Sequence, residues 1–301
     1  MACHSRRACA ASRRPAGAAL VAVLWLVSAL ALAAASLAAA MRTELRLSQQ
    51  FANDARAAAL GDAAVRLAAL ELLVDEEPGR EILSGEYALA GRRVPFRILP
   101  ASGFVNLNTA PETLLRDLLV HGGRIDAAAA ALLARQIVAW RTADPAGPAG
   151  DGGDTASGPA WRRRTFFAVP EDVLQVPGID IELFDRIRPL VTVHSSGGGG
   201  VDPLVAKPEV LLVLARGDET LARQIATRRN SEGPLTDMTR LEQSHLSSDG
   251  TGFTYRIEAF MPDADDRYLL RAHWIALRGH QRLPWLTLSI EPVVATSAPS
   301  R

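Results

Sequence analysis

Cysteine is nearly absent from this chain. The 301 residues include two cysteines, Cys3 and Cys9, and none follows them. Domains that depend on disulfides carry several cysteines spaced along the fold. The sequence therefore excludes a disulfide scaffold, and its stability must come from apolar packing, for which 48% hydrophobic residues suffice.

Recognisable catalytic motifs are missing as well. The glycine run at 197–200 lacks the Lys-Ser/Thr pair of a phosphate loop, and no Gly-x-Ser-x-Gly elbow occurs. The histidines show neither metal-ligand spacing nor a shared helix face. They are His4, His121, His194, His245, His273 and His280. We predict that the protein is not an enzyme.

The charge balance gives no support to nucleic-acid binding. The chain has 33 basic and 33 acidic residues. Four of the basic residues lie in the first 17 positions without an acid, so the remainder has 29 against 33, a net charge of −4. A nucleic-acid-binding surface needs a concentrated basic face instead.

The N-terminus predicts a membrane anchor. After the basic residues Arg6, Arg7, Arg13 and Arg14 come 27 uncharged residues, 15–41. As a helix this run is about 40 Å long, enough to span a bilayer core of roughly 30 Å. The basic flank keeps the N-terminus in the cytoplasm and sends the rest across the membrane.

Two kinds of N-terminal segment fit this pattern. The run exceeds the apolar region of about 7–15 residues in a secretory signal peptide, although alanines 38–40 still offer a cleavage site. The lone Gly17 before an Ala18–Trp25 apolar stretch resembles a type IV prepilin leader instead. That resemblance implies cleavage between Gly17 and Ala18 on the cytoplasmic side.

A single long helix is predicted after the leader. Apolar residues recur at helical spacing as far as Leu73, and no proline occurs from Ala16 to Glu77. Pro78 and Gly79 end the helix. One apolar stripe of its second half, which includes Leu67, Leu70 and Leu73, is expected to hold the globular part.

The remaining segments predict strands at both ends and helices between them. A strand at 93–99 is expected at a sheet edge because it contains Pro95. Thr109 and Glu112 predict a capping box that opens a helix. Alternating residues predict closing strands at 253–259, 268–277 and 286–290. Between them, residues 104–194 are expected to form a helical domain with a core of Leu114, Leu118, Leu132, Val173, Leu174 and Phe184.

The order of these features resembles the minor pseudopilin of type II secretion called general secretion pathway protein K. The resemblance rests on Gly17–Trp25, Asn106–Pro111, Trp140 and Leu174–Ile179, and it covers nearly the whole chain. It implies an α+β, pilin-like fold, in which a long membrane and amphipathic helix packs on a small antiparallel sheet with an inserted all-α domain.

The resemblance also implies the domain bounds. They are a leader at 1–17, a transmembrane helix at 18–41, a first part of the pseudopilin domain at 42–103, a SAM-like helical insert at 104–194 and a second part at 195–301. The protein would lie in the bacterial inner membrane with its C-terminal domain in the periplasm, methylated at Ala18 after a prepilin peptidase removes the leader.

Ala22 carries a further implication of the resemblance. Most type IV pilin-like proteins have a glutamate five residues after the cleavage point, where it neutralises the amine of a neighbour in lipid. Ala22 stands there in this chain, as is expected of protein K. Together with the bulky insert it implies a non-enzymatic tip subunit that helps to initiate the pseudopilus, in a ternary complex with two smaller minor pseudopilins.

Two departures concern metal binding and the second half of the chain. The family's insert carries an acidic loop that holds calcium, whereas this chain has Asp144, Asp151 and Asp154 spread among glycines. Calcium needs six to eight oxygens from one tight loop. The three acids are therefore expected to be solvated, with calcium as the alternative. The family's second Asn-Thr-Ala phrase is replaced by residues 201–206.

Two other classes of protein stay open. Val176–Ile179 resembles the turn of a helix-hairpin-helix nucleic-acid module, but Asp180, Glu182 and Asp185 follow it and would repel phosphate. The other alternative is a signal-anchored periplasmic protein of unrelated function. The N-terminus of the mature chain distinguishes the second alternative from a pseudopilin.

Overall fold

A computed structural model gives the fold of the chain. It describes residues 16–74, 81–142, 166–194, 198–247, 253–263, 267–277 and 283–297. Two compact units result, residues 1–56 and residues 57–301.

The predicted long helix is confirmed as one continuous helix. Helix α1 runs from Ala16 to Val74 without a break. The shorter helices are α2 (Glu112–Asp117), α3 (Ala127–Thr142), α4 (Ile181–Ile187), α5 (Pro208–Leu214) and α6 (Glu219–Glu232). Asp126, Asp180 and Asp218 each accept backbone N–H bonds at the start of α3, α4 and α6, which is the ordinary role of an acid at that position.

The strands are β1 (Leu83–Leu89), β2 (Arg92–Pro100), β3 (Val105–Asn106), β4 (Val191–Thr192), β5 (Thr254–Pro262), β6 (Tyr268–Leu277), β7 (Trp285–Ile290) and β8 (Val294–Thr296). They form one main antiparallel sheet with the order β1-β2-β5-β6-β7, and β8 also pairs with β6. A short parallel pair, β3 with β4, lies apart from it. The predicted α+β architecture and its closing strands are thus confirmed.

The expected edge position of the strand with Pro95 is wrong. Strand β2 lies between β1 and β5, because a strand that the sequence did not predict, β1, covers its outer side. The register with β5 starts at Phe96, so Pro95 pairs with β1 alone. A proline is tolerated here because no residue of β5 lies opposite Pro95, so no carbonyl of β5 needs an N–H from this position.

Small side chains hold α1 against the sheet. The buried positions of its second half include Ala57, Gly61, Ala64, Ala68 and Leu72. They pack on residues of β2, β5 and β6 in one core. Small residues let a helix approach a sheet closely, so this face, with Leu72 at its end, attaches the sheet to α1, and the exposed leucines do not.

The predicted stripe of larger residues is therefore wrong for its leucines. Leu67, Leu70 and Leu73 are 38%, 48% and 42% exposed. Periodicity marked a helix correctly, but it could not show that the neighbouring face of alanines and glycine is the one that fits the sheet.

The helices between β2 and β5 share a second core. Leu114, Leu118 and Phe184 are buried in it together with Val210 and Leu214 of α5. The helical part thus extends past residue 194, the predicted bound of the insert, because α5 and α6 pack on the same apolar interior. Since β2 and β5 are neighbours in the sheet, this helical region is an insertion at one sheet connection.

Four of the six predicted core residues are confirmed, and two are wrong. Leu114, Leu118, Val173 and Phe184 are buried, whereas Leu132 is 51% and Leu174 36% exposed. In each case an adjacent residue, Leu133 or Val173, faces the core instead, since successive side chains of a helical turn point about 100–120° apart.

Candidate functional site

The predicted processing site lies in the first turn of α1. Gly17 and Ala18 have helical backbone, and Ala22 is exposed one turn later. Cleavage between Gly17 and Ala18 and the role of Ala22 stay predictions.

One helix of the described residues is long and apolar enough to cross a membrane by length and composition. It is the Leu20–Val74 part of α1, whose most apolar 18-residue window has a mean hydropathy of 2.4 and is not buried. Within it, the side chains of the uncharged run 20–41 are exposed on all sides, among them Leu24, Trp25 and Leu32. A helix that is apolar all round suits lipid and can serve as a single-pass anchor.

The predicted calcium residues, Asp144, Asp151 and Asp154, lie outside the described residues. Within the part of the chain that the structure describes, no group of three His, Cys, Asp or Glu side chains could hold a metal ion. The calcium alternative therefore stays untested.

In the turn that resembles a helix-hairpin-helix module, Val176–Ile179, the next residue, Asp180, caps the following helix α4. Gly178 has a φ of +91°, and Asp180 Oδ1 accepts the N–H of Leu183 at 2.8 Å. A nucleic-acid hairpin would offer such N–H groups to phosphate. Here the carboxylate of Asp180 already accepts the N–H of Leu183, in the place where a phosphate would bind.

Asn108 makes most of the side-chain contacts of the Asn-Leu-Asn-Thr-Ala-Pro motif, Asn106–Pro111. Its amide exchanges two hydrogen bonds with the backbone of Phe167, at 2.8 Å and 3.0 Å, and also donates to the carbonyl of Val193. Asn106 Oδ1 in turn accepts the N–H of Asn108 at 2.8 Å. Asn108 thereby ties together three segments that are far apart in the sequence.

The capping box predicted for this phrase is wrong. Helix α2 begins at Glu112 behind Pro111, without a side-chain cap. The N–H groups of Thr109 and Ala110 both bond the carbonyl of Asn106, so Thr109 lies in a turn before the helix. Arg141 completes this turn by donating to the carbonyls of Leu107 and Ala110, at 2.8 Å and 2.6 Å.

A buried network of charges joins the sheet to the helical region. Glu258 of β5 is 1% exposed and accepts bonds from Lys207, Arg256 and Arg97, each with a contact of 2.7 Å. Arg256 also makes two bonds to Glu291, at 3.0 Å and 2.8 Å. Lys207 precedes α5, whereas Arg97, Arg256 and Glu258 belong to strands of the sheet and Glu291 follows β7. The network therefore fixes the helical region on the sheet face opposite α1.

Burial and pairing shift the pKa values in this network. Burial raises the pKa of Glu258, but attraction to Lys207, Arg256 and Arg97 prevails and lowers it to about 2. Burial and the nearby Arg256 lower the pKa of Lys207 to about 8, against the opposing effect of Glu258. Both carboxylates and all three cations are paired, which is typical of a structural network rather than of a reactive group.

A second charged cluster connects α1 with β6. Asp62 Oδ1 accepts from Arg271 Nε at 2.7 Å and lies 2.9 Å from His273 Nε2. Burial raises the pKa of Asp62, but the bonds and charges of Arg271 and His273 together lower it. Both clusters hold elements of the fold together, and Arg256 and Glu291 of the first cluster also border a cavity of about 130 Å³.

Sequence reasoning missed one surface, a groove between α1 and β1. It is lined by Leu67, Leu70, Glu71, Val74 and Tyr87 and has a volume of about 600 Å³. The spacing of Leu67, Leu70 and Val74 by three and four residues was a signal for it, because it marks a second apolar face beside the alanines.

Comparisons with known proteins give a weak likeness to solved structures. No family model matches the sequence, and a search of curated proteins finds no match. Among solved structures, the chain is similar to a chain in the GspK-GspI-GspJ complex of the type 2 secretion system of enterotoxigenic Escherichia coli. The identity is 15% and the TM-score 0.46, over 86% of this chain and 99% of that one.

Proposed function

We propose that the chain is a minor pseudopilin of a type II secretion system, a non-enzymatic subunit anchored in the inner membrane. The observation that carries this proposal is α1. One helix, Ala16–Val74, holds an exposed apolar span and continues into the face of small residues that packs on an antiparallel sheet. Type IV pilin-like subunits use the first half of such a helix as an anchor and as the packing element of a filament.

The finer proposal is a tip subunit. Ala22 cannot neutralise the amine of a neighbour in lipid, where an unpaired charge is costly. The helical region inserted between β2 and β5 adds bulk that would hinder further stacking. The partners would be two smaller minor pseudopilins, in a periplasmic complex that helps to initiate the filament and to export folded proteins across the outer membrane.

Processing of the leader tests the function. A prepilin peptidase should cut between Gly17 and Ala18, so mass spectrometry of the membrane-extracted protein should show an N-terminus at a methylated Ala18. Gly17→Val should block the cut because a branched side chain does not fit the site of a glycine, whereas the control Ala16→Val should be processed. A mature chain that starts near Ala40 would instead indicate a secretory signal peptide.

Labelling of assembled filaments tests the tip position. Gold particles directed to the C-terminal part of the chain should mark one end of each filament. Labels along the whole shaft would contradict the tip position while leaving the membership in the filament intact.

A further inference from the structure

Strand β1 presents an open edge. It stands first in the sheet order, and no strand among the described residues pairs with its outer side. Its pair Glu86–Pro95 cannot be of the hydrogen-bonded kind, because Pro95 has no N–H. Paired residues of an antiparallel ladder alternate between bonded and non-bonded kinds. The residues whose N–H and C=O groups point outward are therefore Ser84, Glu86 and Ala88.

Nothing in β1 itself blocks this edge. Protected edge strands carry several charges, a proline or a bulge. The seven residues of β1 include one charged side chain, Glu86, and no proline, and the register with β2 runs unbroken from Leu83 to Leu89. The edge is ready to accept another strand.

The apolar groove adjoins the same edge. Leu67, Leu70 and Val74 of α1 are exposed there by 38%, 48% and 83%, beside the ring of Tyr87. That ring is held in place by parallel stacking on Phe96, with 4.4 Å between the centroids. Side chains of an added strand that point toward α1 would rest on these residues.

The charges argue against a second copy of this chain as the occupant. A symmetric antiparallel pairing over the whole of β1 places its central residue, Glu86, opposite Glu86 of the other copy, which is unfavourable. Arg93 lies 3.7 Å from Glu86 but is 85% exposed, and such an exposed pair is weak. The groove itself contains one carboxylate, that of Glu71.

We propose that β1 accepts an extended strand from one of the smaller minor pseudopilins. Its apolar side chains at alternate positions would lie on Leu67, Leu70 and Val74, and a lysine or arginine would meet Glu71. The backbone of Ser84, Glu86 and Ala88 supplies the hydrogen bonds, as in other cases of strand addition. This inference rests on the proposed function, because that function supplies the partner.

Hydrogen exchange tests the strand addition. The full mature chain in detergent is measured alone and with each of the two smaller minor pseudopilins of the same cell. Exchange in residues 83–89 should slow by about tenfold or more with the correct partner, since paired edge amides become protected.

Substitutions test the same contact through affinity. Ala88→Pro removes an outward N–H without touching the bonds to β2 and should weaken binding by up to about tenfold. The control Ala88→Thr keeps the N–H and should bind as the wild type does. Leu70→Glu should also weaken binding, whereas Leu132→Glu, at a leucine of similar exposure on α3, should not.

The outcomes separate the two proposals. If the wild type binds neither pseudopilin, the proposed function fails and the inference falls with it. If it binds one but exchange in β1 is unchanged and Ala88→Pro binds equally, only the strand addition is overturned. Slow exchange of the outward amides in the chain alone would show that its own residues cover the edge, which also overturns it.

Discussion

At the scale of single residues, Asn108 is hydrogen-bonded to Asn106, Phe167 and Val193. Replacement by alanine removes the bonds to Phe167 and Val193 and leaves their backbone groups without a partner. Each such loss costs about 1–3 kcal/mol. Asn108→Ala should therefore lower the midpoint of urea unfolding clearly, whereas Thr109→Ala, in the exposed neighbour, should have little effect. Equal effects of the two would contradict this role.

Glu258 provides a second prediction at this scale. Glu258→Gln leaves the buried cations Lys207 and Arg256 without their shared counter-charge and should cost about 3–5 kcal/mol at neutral pH. Lys207→Met should cost less, because Glu258 keeps two arginines. Adding Lys207→Met to Glu258→Gln should recover part of the loss, and denaturant unfolding of the three variants would show it. If the double variant is no more stable than Glu258→Gln alone, the charges of Lys207 and Glu258 do not stabilise the fold as a pair.

The lowered pKa of Glu258 also sets a pH range. A carboxylate whose pKa is lower in the folded than in the unfolded chain stabilises the fold fully when the pH is above its unfolded pKa. This stabilisation is lost as the pH falls through the folded pKa. With a pKa of about 2 in the fold, Glu258 stays ionised in mild acid. The network should thus persist at about pH 4, where an ordinary carboxylate begins to lose its charge.

At the scale of elements, Gly61 decides how closely α1 approaches the sheet. A Cβ at this position would lie 2.6 Å from Cβ of Arg271 and 2.9 Å from Sδ of Met261. Glycine to alanine within a helix ordinarily stabilises it by about 1 kcal/mol. Gly61→Ala should destabilise the fold instead. Ala59→Gly, at an exposed position of α1, is the control and should show the ordinary loss of helix propensity in thermal unfolding.

The packing of the helical region gives another prediction at this scale. Leu118 is fully buried, and Leu118→Asp would place an unpaired charge in the core at a cost of several kcal/mol. This variant should lose the helical region, measured as increased proteolysis. Leu132→Asp, at a half-exposed leucine, should fold normally. Resistance of Leu118→Asp to protease would contradict the assigned core.

At the scale of the whole molecule, the low-complexity segment 143–160 should be dispensable for stability. Loop-closure entropy changes slowly with length, so shortening this segment should alter thermal stability little. A large loss would mean that the segment is structured, and calcium titration of the intact chain would then show whether Asp144, Asp151 and Asp154 bind the ion.

Much of the fold was predictable from the sequence because it depends on local patterns. The uncharged run and the absence of proline predicted α1, and alternation predicted the closing strands β5, β6 and β7. Strand β1 was missed because Leu83–Leu89 contains a glycine and little alternation. Its strand conformation depends on pairing with β2, which is a contact between segments.

By itself, the sequence determined the long helix with its apolar span, the closing strands and the scarcity of cysteine, since composition and periodicity suffice for these. Only the tertiary structure decided which face of α1 packs on the sheet and that the strand with Pro95 lies inside the sheet. It also decided that Asn108 bonds to the backbone of Phe167 and Val193. It also joined α5 and α6 to the helical core and brought Lys207 to Glu258. These features depend on the fit between segments far apart in the chain, where a close approach at Gly61 or a shared carboxylate outweighs the local preference of any single residue.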